Sequence, residues 1–245
     1  MSRTAHCIGL VVLAGVLFAL SACETPEPEE PAGPPPQMLT TEEEEQSFIH
    51  LFDGRELGAW RGFQQDTIPE GWVINDDSSL VAVNEDPAAD LITQNTYANF
   101  ELRLDFKVSE GGNSGIFYLV AENEYDEAWH TGPEYQILDD EAFPDAEPRL
   151  LTASNYEFEG PDPDVFRGAE TWNTARIVKD GNDIEHWLNG ERVVEYTIGS
   201  EAWEEQKEDT KFVDYSEYAA YDEGHIGLQH YGDEVHFRNI RIRMW

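Results

Sequence analysis

The chain has 245 residues, with 51 acidic against 15 basic side chains, seven histidines and two cysteines, for a formal net charge of -36. That length fits one ordinary domain able to bury on the order of 70% of its unfolded surface, and two cysteines exclude a disulfide-built miniprotein. An apolar content of 40%, with 7 Trp, 10 Tyr and 12 Phe, excludes a disordered acidic chain, and so large a negative charge argues against nucleic acid and anionic membrane surfaces as partners.

Residues 1–22 carry Arg3 and then an uncharged run from Ile8 to Ala22. This run is too short to span a bilayer and has the form of a secretory signal. It ends in LSAC at Leu20–Cys23, which resembles the bacterial lipoprotein signal, with Cys23 the expected site of lipidation. The chain is therefore expected in the bacterial cell envelope, on the periplasmic side or the cell surface, touching membrane only through that lipid. Cys7 would leave with the leader, so no thiol remains for a disulfide, a nucleophile or a zinc-thiolate site. Residues 23–47 contain six prolines and the acidic run Glu42–Glu45, with no basic residue. They read as an extended tether. The folded region is expected over residues 48–245, with 43 acidic and 14 basic side chains, as a monomer or simple homo-oligomer. Its negative excess fits a surface kept soluble at high salt.

Strand patterns dominate that region. Phe100, Leu102, Leu104, Phe106 and Val108 alternate with Glu101, Arg103, Asp105 and Lys107, which predicts a strand with one core face and one wet face. Further strands are expected over 71–75, 90–94, 114–120, 133–138, 151–157, 175–179, 183–188, 192–196, 225–231 and 235–243. Asp180-Gly181 and Asn189-Gly190 predict hairpins, the latter of type I′, so the strands over 175–196 form a meander. Short helical turns are expected at 201–207 and 215–221. No βαβ rhythm appears, and the reading is all-β, two packed antiparallel sheets.

There is no GxGxxG, P-loop, HExxH or GxSxG sequence, and GGNSG at Gly111–Gly115 lacks the lysine and helix of a phosphate loop. Alternation over 133–138 puts Glu134 and Gln136 together on one face. That pair reads as a ligand-facing carboxylate and amide, or as a solvated carboxylate beside an ordinary cross-strand amide. Gly227 leaves room beside Gln229, and His230 lies near a strand end, where a bulge would turn it into the same cleft. Asn113 in the glycine turn, Trp129 as a sugar platform, His130, Asp139 and Arg176 as a substrate clamp complete the candidates. His186 shares a face with Ile184 and Leu188, which reads as a core histidine.

LFDGRELGAW at Leu51–Trp60, LITQNTYANFELRLDFKVSEGGNSGIFY at Leu91–Tyr118, GPEYQILDD at Gly132–Asp140, WNTARIVKDGNDIEHWLNGERVVEY at Trp172–Tyr196 and GHIGLQHYGDEVHFRNIRIR at Gly224–Arg243 together resemble the 3-keto-disaccharide hydrolase domain family. The resemblance implies a concanavalin- and glucanase-like jelly-roll β-sandwich acting on a carbohydrate or keto-sugar. A ketone at sugar carbon 3 acidifies the proton on carbon 2, so a base can open a route of elimination and hydration. On that footing His230 or Asp139 would be the base, with Glu134 and His130 orienting substrate or a divalent cation. Calcium, magnesium, manganese or zinc would each suit such groups, and none is certain. The alternative is a non-catalytic carbohydrate-binding lipoprotein using the same face.

Overall fold

The computed structural model describes residues 37–83, 89–123 and 125–245. The expected leader, the lipidation site Cys23 and the proline-rich part of the tether lie outside the described residues. Thirteen strands are present among the described residues: β1 (Ile49–Phe52), β2 (Trp60–Gly62), β3 (Trp72–Ile74), β4 (Leu80–Ala82), β5 (Leu91–Thr93), β6 (Phe100–Val108), β7 (Asn113–Val120), β8 (Glu134–Leu138), β9 (Asn173–Asp180), β10 (Asp183–Leu188), β11 (Glu191–Thr197), β12 (His225–Leu228) and β13 (Val235–Met244). They form two antiparallel sheets. The larger runs β11-β10-β9-β6-β13-β4-β3, with β1 also on β13, and the smaller runs β2-β5-β12-β7-β8.

The alternation in β6 sets the core. Phe100, Leu102, Leu104, Phe106 and Val108 are all 0–1% exposed and pack with Ile116, Tyr118, Tyr135, Ile137, Ile226 and Leu228 from the smaller sheet. The Asn189-Gly190 turn has positive φ at both residues, 52° and 94°, as a type I′ hairpin requires. It joins β10 to β11 and completes the β9-β10-β11 meander. His186 is fully buried between the layers. Its Nδ1 donates to the Ala153 carbonyl and its Nε2 accepts from the Tyr118 hydroxyl. Burial holds its pKa at about 4, so the imidazole is neutral.

Strands β1, β2 and β4 lie outside the expected set and β12 stops short of Tyr231; three further stretches differ in kind from the sequence expectation. Residues 151–157 form turns with isolated bridges instead of a strand, because Ala153 and Glu157 take positive φ. They still cover the free edge of β8, through Ala153 N–H to the Gln136 carbonyl and Tyr156 N–H to the Glu134 carbonyl. Residues 215–221 are turns, and a short 3-10 helix at Lys211–Asp214 precedes them; α2 does span Glu201–Lys207. The third departure is the acidic run of the expected tether. Thr41–Glu45 is a helix, α1, whose Thr40 side chain accepts the Glu43 N–H while Glu43 reaches back to the Thr40 N–H. Gln37 ties this segment to the sandwich, donating to the Asp53 and Ser78 carbonyls and accepting from Asn239 N–H.

Charge on the outer face of the larger sheet is handled by shared carboxylates. Register places Arg103 opposite both Arg176 and Arg241, an arrangement that repels unless acids intervene. Glu101, 1% exposed, supplies the intervening charge. It contacts Arg103 and Arg176 at 2.7 Å and Arg243 at 2.5 Å, while Glu43 pairs with Arg241 and Arg103. Burial pushes the Glu101 pKa up, but the hydrogen bonds from Arg103 and Arg243 outweigh it and leave the group below the ordinary carboxylate range. Its stabilisation is therefore present above that range and lost as pH falls through the folded value. Glu101→Gln is expected to lower the unfolding free energy by about 1–3 kcal/mol at pH 7, discounted because the guanidiniums are about one-third exposed. Denaturant titration should find this gap closing in acid; unchanged stability at pH 7 would contradict it.

Candidate active site

The smaller sheet turns one face to the core and the other to a shell of loops. Tyr135 and Ile137 are 0% exposed in the core, so alternation sends Glu134 and Gln136 to the loop side. Pairing sets Phe117 opposite Glu134 and Gly115 opposite Gln136. The Glu134 carboxyl leans over Gly115: a Cβ built on that glycine would stand 2.1 Å from Glu134 Oε1. A side chain at this position would have to push the Glu134 carboxyl aside. The Gln229 N–H donates to the Gly115 carbonyl at 2.9 Å, which fixes Gln229 on the other flank of the same glycine.

Burial pushes the Glu134 pKa up to about 8. The Lys211 ammonium opposes that shift, and the charges of Asp90 and Glu157 add to it. At neutral pH the group is predominantly a protonated acid. Asp90, immediately before β5, is 9% exposed and its pKa is pushed up to about 7 by burial. The His230 N–H, donating to Asp90 Oδ1 at 2.9 Å, opposes that rise. Strand β12 ends at Leu228, and beyond it the His230 ring meets Trp72, a core residue of the larger sheet, edge-on at 5.6 Å.

Asp90 and His230 border an open cleft of about 860 Å³, whose lining does not include Glu134. Asp90, Trp129, Gln229, His230 and Tyr231 form its walls, with Phe63, Gln64, Gln65, Asp126 and Glu127 around them. Phe63, Ile92, Phe117, Val120 and Ala128 pack as a small apolar cluster against which Trp129 rests. Trp129 also faces Lys211, whose ammonium lies 4.5 Å from its ring centre and 4.8 Å from that of Tyr156. The side-chain oxygens of Gln229 and Asn113 are buried without a hydrogen-bond partner among the described residues. Gln229 therefore offers an amide at the cleft wall, and Asn113 lies on the same sheet face as Gly115.

Residues 47–243 match the family described as the 3-keto-alpha-glucoside-1,2-lyase-like domain. The chain belongs to that family. A 3-keto-disaccharide hydrolase of Bacteroides thetaiotaomicron is 32% identical over 226 residues, covering 80% of this chain and 78% of the relative. Among solved structures, a Parabacteroides distasonis protein assigned as a glycosyl hydrolase superposes with a TM-score of 0.80 at 29% identity, covering 86% of this chain and all of the other. A second structure from the same organism, with the same assignment, gives 0.55 at 27% identity over 76% of this chain and 99% of its own. The 3-keto-alpha-glucoside-1,2-lyase-like domain is thus a β-sandwich, and the protein is an enzyme of the glycoside-hydrolase kind.

The site differs in composition from the sequence expectation. Glu134, Gln136 and Asn113 share the loop-side face of the smaller sheet, and Trp129, Gln229 and His230 border the cleft, although Gln136 spends its side-chain oxygen on the Ile137 N–H. Arg176 does not join them: it stands on the outer face of the larger sheet, paired with Glu101 and stacked over Trp187 at 4.4 Å. Asp139 follows the end of β8, where its carboxylate accepts the Gly111 N–H and holds the glycine turn. It borders a separate hollow with Glu110 and Arg167. His130 is stacked on Tyr215 and packed beside Trp129, and burial lowers its pKa. Asp90 was not among the candidates. Its one sequence signal is a carboxylate placed directly before the fully buried run Leu91–Thr93, where a polar residue must find a partner or face a cleft.

A divalent cation does not fit these residues. Among the described residues no three His, Cys, Asp or Glu side chains converge as a metal ion would need.

Gly115→Ala is expected to cost about 1–3 kcal/mol in thermal or denaturant unfolding, because the methyl displaces the Glu134 carboxyl. Glu134→Ala placed in the same chain should recover most of that loss, a coupling that a double-mutant cycle reads directly. Purely additive effects would place Glu134 elsewhere.

Proposed function

We propose that the enzyme cleaves 3-keto-glycosides, beginning with removal of the proton on carbon 2. The observation that carries this reading is the pair of buried carboxyls, Asp90 and Glu134, poised near neutral pH and near enough for the Asp90 charge to raise the Glu134 pKa, in a chain of the 3-keto-alpha-glucoside-1,2-lyase-like family. The relative named a 3-keto-disaccharide hydrolase supports the substrate class. A glycosidase working directly on an acetal needs two carboxyls placed for acid and nucleophile or base. A ketone at carbon 3 relaxes that need, because the carbon 2 proton becomes acidic enough for a single positioned base.

In this mechanism the sugar ring stacks on Trp129. Asp90, oriented by the His230 N–H, takes the proton from carbon 2 as a carboxylate. The electron pair moves onto the keto oxygen, and the protonated Glu134 donates a hydrogen bond to that oxygen as its charge grows. A carboxylic acid kept neutral by burial is suited to this, since it stabilises the developing oxyanion without first losing solvation. The enediolate then collapses, the bond from carbon 1 to the glycosidic oxygen breaks, and the leaving oxygen takes the proton that Asp90 removed from carbon 2. Addition of water across the resulting double bond gives the free 3-keto sugar, so the net change is hydrolysis. The Gln229 amide, bare of protein partners, holds a substrate hydroxyl at the cleft wall.

Activity is expected to rise as Asp90 ionises near pH 7 and fall as Glu134 ionises near pH 8, a narrow bell in kcat/KM. Asp90→Asn and Glu134→Gln should each lower kcat/KM on a 3-keto-disaccharide by about 10²–10⁴-fold. Exchange of the carbon 2 proton with deuterated solvent should disappear in Asp90→Asn. Tight sugar binding by the wild-type chain with neither exchange nor cleavage would instead favour a carbohydrate-binding role.

A further inference from the structure

Strand β9 holds a residue that its own pattern does not explain. Asn173, Ala175, Ile177 and Lys179 occupy the inward positions of the alternation, and Lys179 is buried at 3% exposed where an apolar side chain is the rule. Its ammonium donates to the carbonyls of Gly181 at 2.8 Å and Asp222 at 3.1 Å. An ammonium has three donors, so one is left. Lys179 borders a pocket of about 270 Å³ together with Lys207 and Trp203 of α2, Asn182 and the turn around Tyr218. None of the residues bordering this pocket borders the cleft.

Cations make up a larger share of the charged residues at this pocket than in the rest of the chain, two lysines beside Glu204 and Asp222. The region from residue 48 to 245 has 43 acidic side chains for 14 basic ones, and the arginines on the outer face of the larger sheet are all matched with carboxylates. Glu204 and Asp222 also border the pocket, yet no carboxylate among the described residues comes within ion-pair distance of Lys179 or Lys207. Lys207 makes only a 3.4 Å contact to the Tyr215 carbonyl and lies over the rings of Trp203 and Tyr218. Burial lowers the pKa of both lysines, opposed by Asp222 and Asp180 at Lys179 and by Glu204 at Lys207. A cation buried without a counter-ion is costly, and an anion entering from solvent would remove the cost.

We propose that this pocket binds the carboxylate or phosphate of a small organic anion, held between the ammonium groups of Lys179 and Lys207. Trp203 supplies the apolar wall for the rest of such a ligand. The volume limits it to a single small molecule. The free donors of the two ammonium groups, which no carboxylate of the described residues pairs, favour an anionic group through charge-assisted hydrogen bonds.

The test uses the full chain labelled with nitrogen-15 at its four lysines, Lys107, Lys179, Lys207 and Lys211, in a low-chloride buffer. It is titrated separately with inorganic phosphate, glucuronate and neutral glucose, and side-chain ammonium signals are followed by NMR. The Lys179 and Lys207 signals should shift together and saturate with phosphate, glucuronate or both, the responding probe identifying the anion. Lys107 and glucose serve as the silent controls. Lys207→Gln should weaken binding about tenfold, the loss of one charge-assisted hydrogen bond, while leaving the fold intact because Lys207 is only half-buried. Absence of any saturating shift up to about 50 mM anion, equal drift of all four signals, an equal response to glucose, or undiminished affinity in Lys207→Gln would overturn the proposal.

Discussion

The contact on which the functional face depends is between a carboxyl group and a residue that has no side chain. Glu134 lies across Gly115, close enough that a methyl group there would collide with its oxygen at 2.1 Å. The missing Cβ lets the carboxyl sink into the sheet surface, and the sinking strips it of water. Burial without a tightly held cation raises its pKa to about 8, which converts an ordinary strand glutamate into an acid at neutral pH. The backbone of the same glycine accepts the Gln229 N–H, so one position sets the depth of the acid and the place of the neighbouring amide. Asp90, at the cleft wall, is brought near neutrality by the same burial and is oriented by the backbone of His230.

The two sheets treat charge in opposite ways. On the larger one, the buried Glu101 is ringed by Arg103, Arg176 and Arg243, and its pKa is driven down. Those guanidiniums stack on Phe48, Trp187 and Trp245 as well, making a surface that is closed on itself. On the smaller sheet, Glu134 and Asp90 are buried without guanidiniums, and their pKa values rise. The first arrangement ties neighbouring strands of the larger sheet together, and the second leaves Asp90 at a cleft and Glu134 buried against Gly115. The strong negative charge of the chain belongs mainly to the solvent shell, where it keeps the domain soluble and does not choose the chemistry.

Much of this was legible in the sequence because period-two alternation reports sheet faces directly. The strand over Phe100–Val108, the I′ turn at Asn189-Gly190 and the shared face of Glu134 and Gln136 all follow from local pattern, and the core role of His186 follows from its apolar neighbours. What escaped depended on contacts between distant segments. Asp90 carries no pattern of its own; its importance arises from the chain turning at Leu228 to bring His230 beside it. Arg176 looked like a clamp because an arginine on a strand points outward, but which outward face it joins is decided by sheet order. Asp139 looked available for catalysis until the Gly111 N–H claimed it. The acidic run at Thr41–Glu45 was read as tether by composition, whereas the spacing of Thr40 and Glu43 was a capping signal that Arg241 and Arg103 made worth folding. Residues 151–157 have the composition of a strand but not its backbone, since two positive φ values break it.

The central claim is that Glu134 is an acid at neutral pH because of where it lies. A carbon-13 NMR titration of the glutamate side-chain carboxyls, with the Glu134 signal assigned by its loss in Glu134→Gln, measures this directly. The account predicts a midpoint near 8. A midpoint in the ordinary carboxylate range, about 4, would contradict it and remove the physical basis for the role given to this group.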